Sequence, residues 1–263
     1  MVLKPSRKLD NVALLRNAKL MARAGVEKKL LEEFEKKRIE RVFKGRKDFV
    51  DRPGMKRTAA ILNRTFGKVA GFALEKGLGK RSEKIFRQIE PYVEDNSSVL
   101  DLGCGDGKVG YLLNLDKKCE VQLMDTVNCN KTPLPFEIYD GNSVRKSGNS
   151  FDHVILITSL HHSDDPVLLM EEALRVAEKS VIVIESVYFE KVPMHRKMNS
   201  FVDWFSGRVL NDPEVNVPFN FLTPEAWVVV FQNLGGKVVG MERLGFDQPL
   251  VPEYHVLYEV EPE

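Results

Sequence analysis

No apolar run in this 263-residue chain approaches the roughly 18 residues that a helix needs to cross a bilayer. The longest runs, Val154–Ile157 and Val181–Ile184, have strand length. Met1-Val2-Leu3-Lys4 opens no signal-peptide apolar core and offers no glycine for myristoylation. Glu261-Pro262-Glu263 carries no prenylation box. Cysteine is scarce: Cys104, Cys119 and Cys129 are odd in number and lack metal-ligand spacing. No disulfide framework and no metal are therefore expected, and a reducing cytoplasm is the expected compartment. Internal repeats and low-complexity tracts are missing too.

What is present is a chain with 43% hydrophobic residues, enough for a sizeable core, and a net charge of +1 that hides an asymmetry. Residues 1–90 hold 25 Lys and Arg against 11 Asp and Glu, a net of +14. The remainder holds 14 against 27, a net of −13. Such a split predicts two parts with different partners. The basic part, residues 1–90, reads as a helical extension. Apolar side chains recur there at helical spacing (Leu14, Ala18, Met21; Leu30, Leu31, Phe34), with Lys and Arg between them. Further helices are expected over 56–75 and 82–89.

From residue 91 onward the texture changes to short strands alternating with helices. Strands are expected at Ser98–Asp101, Glu120–Met124, Phe136–Tyr139, His153–Thr158, Val181–Glu185, Lys237–Leu244 and His255–Val260. Helices are expected at Lys108–Leu115, Pro166–Ala177 and Pro224–Leu234. Asp165-Pro166 and Thr223-Pro224 each set a capping side chain before a proline at the first helical position. Gly235-Gly236 supplies a helix stop. The alternation predicts an α/β fold with a mostly parallel sheet covered on both faces.

An open parallel sheet binds ligands beyond the carboxyl ends of its strands. The turn after the first strand reads Asp101-Leu102-Gly103-Cys104-Gly105-Asp106-Gly107. Its glycines permit positive φ and close ligand approach. It is not a P-loop, since Lys108 is followed by Val109. The dinucleotide pattern G-x-G-x-x-G fails when counted from Gly103. It matches from Gly105 through Gly107 and Gly110, two residues late in the turn. The acids Asp101 and Asp106 would repel a pyrophosphate and suit a cation. S-adenosylmethionine, with its sulfonium and α-ammonium, has the required charge.

"VLDLGCGDG" resembles the first motif of the class I S-adenosylmethionine-dependent methyltransferases, and the resemblance extends from about Val99 to Val260. It implies a Rossmann-like seven-stranded, mostly parallel sheet with an antiparallel C-terminal hairpin. It also implies a cofactor site on the loop residues Asp101, Gly103, Cys104 and Gly105. "VQLMD" ends at Asp125, twenty residues past Gly105, where the family places the acid that bonds both ribose hydroxyls, and Thr126 follows it. "YDG" matches the acid at Asp140, with Gly141, that meets the adenine amino group. "NSFDHVILITSLHH" (Asn149–His162) is similar to the fourth strand, which ends beside the sulfonium and places Ser159 there. The closest texture is that of the quinone-pathway methyltransferases and their small-molecule relatives. The usual Pro-Gly-Gly before the fifth strand is replaced by Ala177-Glu178-Lys179-Ser180.

Methyl transfer from a sulfonium is an in-line displacement, so the protein mostly binds and orients. For an oxygen or carbon acceptor a nearby base helps, and His161 and His162 are the candidate catalytic residues. Leu160-His161-His162 also reads as a plain helix-start segment. Glu185 reads either as a group facing the acceptor or as a buried acceptor of backbone hydrogen bonds. The Asn/Asp-Pro-Pro-Tyr/Phe motif of adenine and glutamine N-methylation is absent, and no cysteine ends the fourth or fifth strand. The expected acceptor is a small or lipid-like molecule. The insertion at 187–221 carries Met194, Met198, Phe201, Trp204, Phe205 and Phe219. These either cover an apolar acceptor pocket or bury a helix against the sheet edge. The basic extension either caps the cofactor, docks on an anionic membrane surface or binds RNA. A non-catalytic cofactor-binding module is a further reading. The oligomeric state is not legible.

Overall fold

The structure, a computed structural model, describes residues 57–64, 80–192, 194–211, 217–248 and 251–263. The helical readings over 11–43, most of that over 56–75, and the lysine- and arginine-rich clusters before residue 48 lie outside them. Arg46–Glu263 forms one compact unit.

Seven strands make one sheet: β1 (Ser98–Leu102), β2 (Glu120–Asp125), β3 (Phe136–Ile138), β4 (Phe151–Ile157), β5 (Ala177–Val187), β6 (Gly236–Gln248) and β7 (Val251–Pro262), in the order β3-β2-β1-β4-β5-β7-β6. The first five run parallel. β7 enters antiparallel between β5 and β6, which is the expected terminal hairpin. The central strands are the apolar runs of the sequence. Val154–Leu156 and Val181–Val187 are buried because helices cover both faces of a parallel sheet.

The helices are α1 (57–64), α2 (80–89), α3 (Lys108–Lys117), α4 (Pro166–Val176), α5 (His195–Trp204) and α6 (Pro224–Asn233), with a π-helical turn at Phe205–Asn211. The two proline-marked starts behave as their chemistry dictates. Asp165 accepts from the amides of Val167 and Leu168, and Thr223 accepts from that of Ala226. Gly235, at φ +78°, ends the turn after α6. α2 buries Ile85, Phe86 and Ile89 in one cluster with Val99, Leu113, Ile155 and Leu257. The expected extension 1–90 thus ends in a helix that belongs to the sheet's core. Asp152 pins the start of β4 to that of β1. It accepts from the amide and the hydroxyl of Ser98 at 2.8 and 2.9 Å and pairs with Lys179 at 3.0 Å, and the Ser98 amide, with the Lys179 ammonium next, holds its carboxyl at about 2.

β1 lies between β2 and β4, so the connections after β1 and β4 leave in opposite directions. This switch point is where an open α/β sheet forms its ligand crevice.

Candidate functional site: the carboxyl ends of β1, β2 and β4

Three glycines shape the turn after β1. Gly103, Gly105 and Gly107 have φ of +78°, +54° and +75°, the left-handed region that side-chain-bearing residues avoid. The turn is tied to β2 through Gly103 N–H, which donates to Met124 O at 2.8 Å. Gly105 N–H donates to Asp125 Oδ2, also at 2.8 Å. A Cβ on Gly103 would stand 2.5 Å from Ser159 Oγ, whereas one on Gly105 would meet nothing within 4 Å. One side of the loop is therefore packed against the β4 end, and the other opens onto free space.

Four carboxylates were expected to matter here, and their environments differ. Asp125 ends β2 and accepts from Gly105 and, at 2.7 Å, from Thr126 N–H. Asp101 is 2% exposed, and burial pushes its carboxyl up to about 7, with the Gly110 amide opposing. Its Oδ2 has no hydrogen-bond partner among the described residues. Asp140 is exposed and held below the usual carboxylate range by the amides of Ser143 and Asn142. Asp106 is engaged locally: it accepts from Lys108 N–H, at the first position of α3, at 3.1 Å and pairs with Lys108 Nζ at 3.0 Å. Asp106, expected to join Asp101 in drawing a cation, already holds one within the chain, the Lys108 ammonium. Gly141 comes beside Thr126, 3.3 Å separating its notional Cβ from Thr126 Cγ2. Asp125, Thr126 and Gly141 thus share one wall. The half-buried Cys104 thiol is pushed up by burial and stays protonated, so it fills space within the loop.

The β4 end carries the histidines. Thr158 has φ +52°, an unfavourable conformation for a β-branched residue, and its amide donates to Ile184 O at 2.7 Å. This bend aims the single 3-10 turn Leu160–His162 past the sheet. Ser159 Oγ reaches back to Gly103 O at 3.4 Å. His161, 3% exposed, stacks on Phe221 at 4.9 Å and bonds through Nδ1 to Glu185 Oε2 at 2.6 Å. Leu160 N–H donates to the other oxygen of Glu185 at 2.7 Å. Glu185, fully buried, accepts from the backbone, as the second of its two readings had it, and it also bonds a histidine. Burial raises its carboxyl and lowers the His161 imidazole, so each partner favours its neutral form. His162 is about one-third exposed, and its Nε2 lies 3.3 Å from Asp203 Oδ1.

The insertion splits its apolar side chains between an inward and an outward face. On α5 the buried positions are His195, Asn199, Asp203 and Trp204, while Met198 and Phe201, with Met194 just before the helix, are exposed at 44, 62 and 66%. Trp204 and Phe219 pack inward with Val209, Val217 and Phe221, against Ala59 of α1. The apolar side chains thus divide between a packed edge and an outward stripe, and Asp203 meets the histidine turn while Asn199 and His195 bond the backbone of Val187 and Phe189. Asp203 and Asn199 were missed by sequence reading. The available signal was their i, i+4 spacing with His195 on one face of an aromatic-rich helix.

Comparison with known proteins agrees with this architecture. Residues 83–198, less than half of the chain, match the family model described as MetW, Methionine biosynthesis protein MetW. No curated protein matches the chain in sequence. Among solved structures, a chain of the Haloferax volcanii complex between the Trm112 methyltransferase activator and a methyltransferase superposes with a TM-score of 0.56. It is 17% identical, and the match covers 75% of this chain and 98% of that one. A SAM-dependent methyltransferase of Methanosarcina mazei gives 0.52 at 18% identity, covering 66% and 96%. The [4+2]-cyclase SpnF gives 0.53 at 12% identity, covering 68% and 80%. The chain has the class I S-adenosylmethionine-dependent methyltransferase fold.

The site fits that cofactor on its own terms. The open side of Gly105 admits a ligand to the main chain, and Asp101 holds a buried oxygen without a partner among the described residues.

Proposed function

We propose that the protein binds S-adenosylmethionine and transfers its methyl group to an oxygen or carbon of a small-molecule or lipid-like acceptor. The observation that carries this reading is the contact of the β4 end with the glycine loop, Ser159 on Gly103. It joins the strand end that carries the His161–His162 turn to the loop whose Gly105 side is open. Asp101, Gly103, Cys104 and Gly105 would hold the cofactor's amino-acid end, Asp125 and Thr126 the ribose, Asp140 and Gly141 the adenine, and Ser159 the neighbourhood of the sulfonium. The cofactor supplies a methyl electrophile when bound. Against it the chain supplies position. The loop fixes one end, the Asp125 carboxylate is pre-aimed by two backbone amides, and the buried His161–Glu185 bond locks the turn that carries His162. His161 and His162 are assigned to the acceptor side. The outward apolar stripe of α5 favours an acceptor drawn from a lipid surface.

Incubation of the full chain with methyl-radiolabelled S-adenosylmethionine and separate lipid, metabolite, RNA and protein fractions tests this reading. Label is expected in the lipid or metabolite fraction. Label confined to RNA or protein would overturn the acceptor assignment, and label nowhere would favour a binding module without turnover.

A further inference from the structure

His161, His162 and Asp203 come from two segments some forty residues apart, yet each brings one ligand atom to within 4.8 Å of the others. We propose that these three side chains form a binding site for a divalent transition-metal ion of the zinc type, with Glu185 as the carboxylate that orients His161.

Four observations carry the proposal. First, the donor set is two imidazoles and one carboxylate, which suits zinc-like ions and not magnesium or calcium, both of which prefer all-oxygen shells. Second, Asp203 is 2% exposed, and its Oδ2 has no hydrogen-bond partner among the described residues. Asn199 Oδ1, one turn earlier on the same buried face, has none either. A buried carboxylate with half its acceptors unmet is costly, and a cation removes that cost. Third, His161 has its outer partner in place. Its Nδ1 lies 2.6 Å from Glu185 Oε2, which leaves Nε2 as the ring nitrogen for a metal, the arrangement of ligating histidines in metal proteins. Glu185 is itself held by Leu160 N–H. Fourth, the ligands sit on a scaffold fixed from several sides: Asn220 Nδ2 donates to Ser163 O at 2.8 Å, and Asn199 Nδ2 donates to Val187 O at 2.9 Å. Ligands sharing one zinc at bonds of about 2.0–2.2 Å lie closer together than 4.8 Å, so the side chains need move only on the order of 1 Å.

Three protein ligands leave a tetrahedral ion one open position, the mark of a reactive rather than a structural site. That position would take water or an oxygen of the acceptor; only this last role rests on the methyl-transfer reading.

The test is titration of the tag-free full chain, stripped of metal by chelation, with Zn²⁺ by calorimetry and with Co²⁺ by visible absorption, in the absence of S-adenosylmethionine. One equivalent is expected to bind, with intense tetrahedral Co²⁺ bands, and affinity should fall at least 100-fold in Asp203→Asn and in His162→Gln. Both variants change groups at the edge of the core; their melting curves and cofactor affinity check folding. Absence of stoichiometric binding, or binding that survives both substitutions unchanged, would overturn the proposal. Because no cofactor is present, either outcome leaves the methyl-transfer reading standing or falling on its own experiment.

Discussion

Valine in place of Gly105 should leave the protein folded and abolish S-adenosylmethionine binding. The residue sits at φ +54°, so a β-branched side chain there costs roughly 1–2 kcal/mol of backbone strain. Nothing lies within 4 Å of the added Cβ, so no clash adds to that cost. For a unit of this size the melting temperature should drop by about 2–8 °C, which a folded protein tolerates. The two new methyl groups would stand on the open side of the loop, where the ligand must approach. Affinity for S-adenosylhomocysteine, measured by calorimetry, should fall at least a hundredfold, which corresponds to about 2.7 kcal/mol. Gly103→Val is the matched control. Its Cβ would meet Ser159 Oγ at 2.5 Å, so that variant should lose stability as well as binding. A folded Gly105→Val protein that binds within threefold of wild type would refute the placement of the ligand on this side of the loop.

Asp125→Ala should weaken cofactor binding by about 1.5–3 kcal/mol, the worth of charge-assisted hydrogen bonds, in a calorimetric titration; unchanged affinity would remove the residue from the site. His162→Ala should lower methyl transfer at least tenfold while cofactor affinity stays within threefold, and an unchanged rate would exclude the side chain from the acceptor side. Asp101 makes stability depend on pH. Its folded carboxyl lies at about 7, above the 3.8 of an unperturbed aspartate, so the folded state keeps a proton that the unfolded state has lost between those values. Stability from this group is therefore present at low pH and lost as pH rises towards 7, by an amount on the order of a few kcal/mol. Urea denaturation should show Asp101→Asn gaining on wild type between pH 5 and pH 8, and a constant difference would contradict the burial argument. Asp152→Ala should lower the melting temperature by several degrees at pH 7, since Ser98 N–H and Oγ–H lose their common acceptor at about 1–3 kcal/mol.

Much of this architecture is local in origin and so was legible. Asp165-Pro166 and Thr223-Pro224 start helices because cap and fixed φ act within four residues. The apolar runs at Val154 and Val181 became central strands because length alone separates them from helices. The glycine loop was legible for the same reason: three positive φ values in five residues are a backbone demand that glycine meets. The fate of Asp106 was not legible, because a carboxylate beside a helix start caps the helix or faces the ligand depending on where its rotamer points. The polar face of α5 was likewise hidden. The helix reads as aromatic-rich, and its inward face shows only in what it meets: Val187 and Phe189 just before it, and His162 some forty residues earlier. Asp203 belongs to the site only through that meeting.

Titration of the full chain with S-adenosylhomocysteine, and separately with NAD⁺, tests the account most directly. Saturable one-to-one binding of the sulfur nucleoside, absent for the nicotinamide coenzyme and lost in Gly105→Val, is the expected result. Binding of NAD⁺ in its place, or no heat from either compound with folded protein, would contradict it.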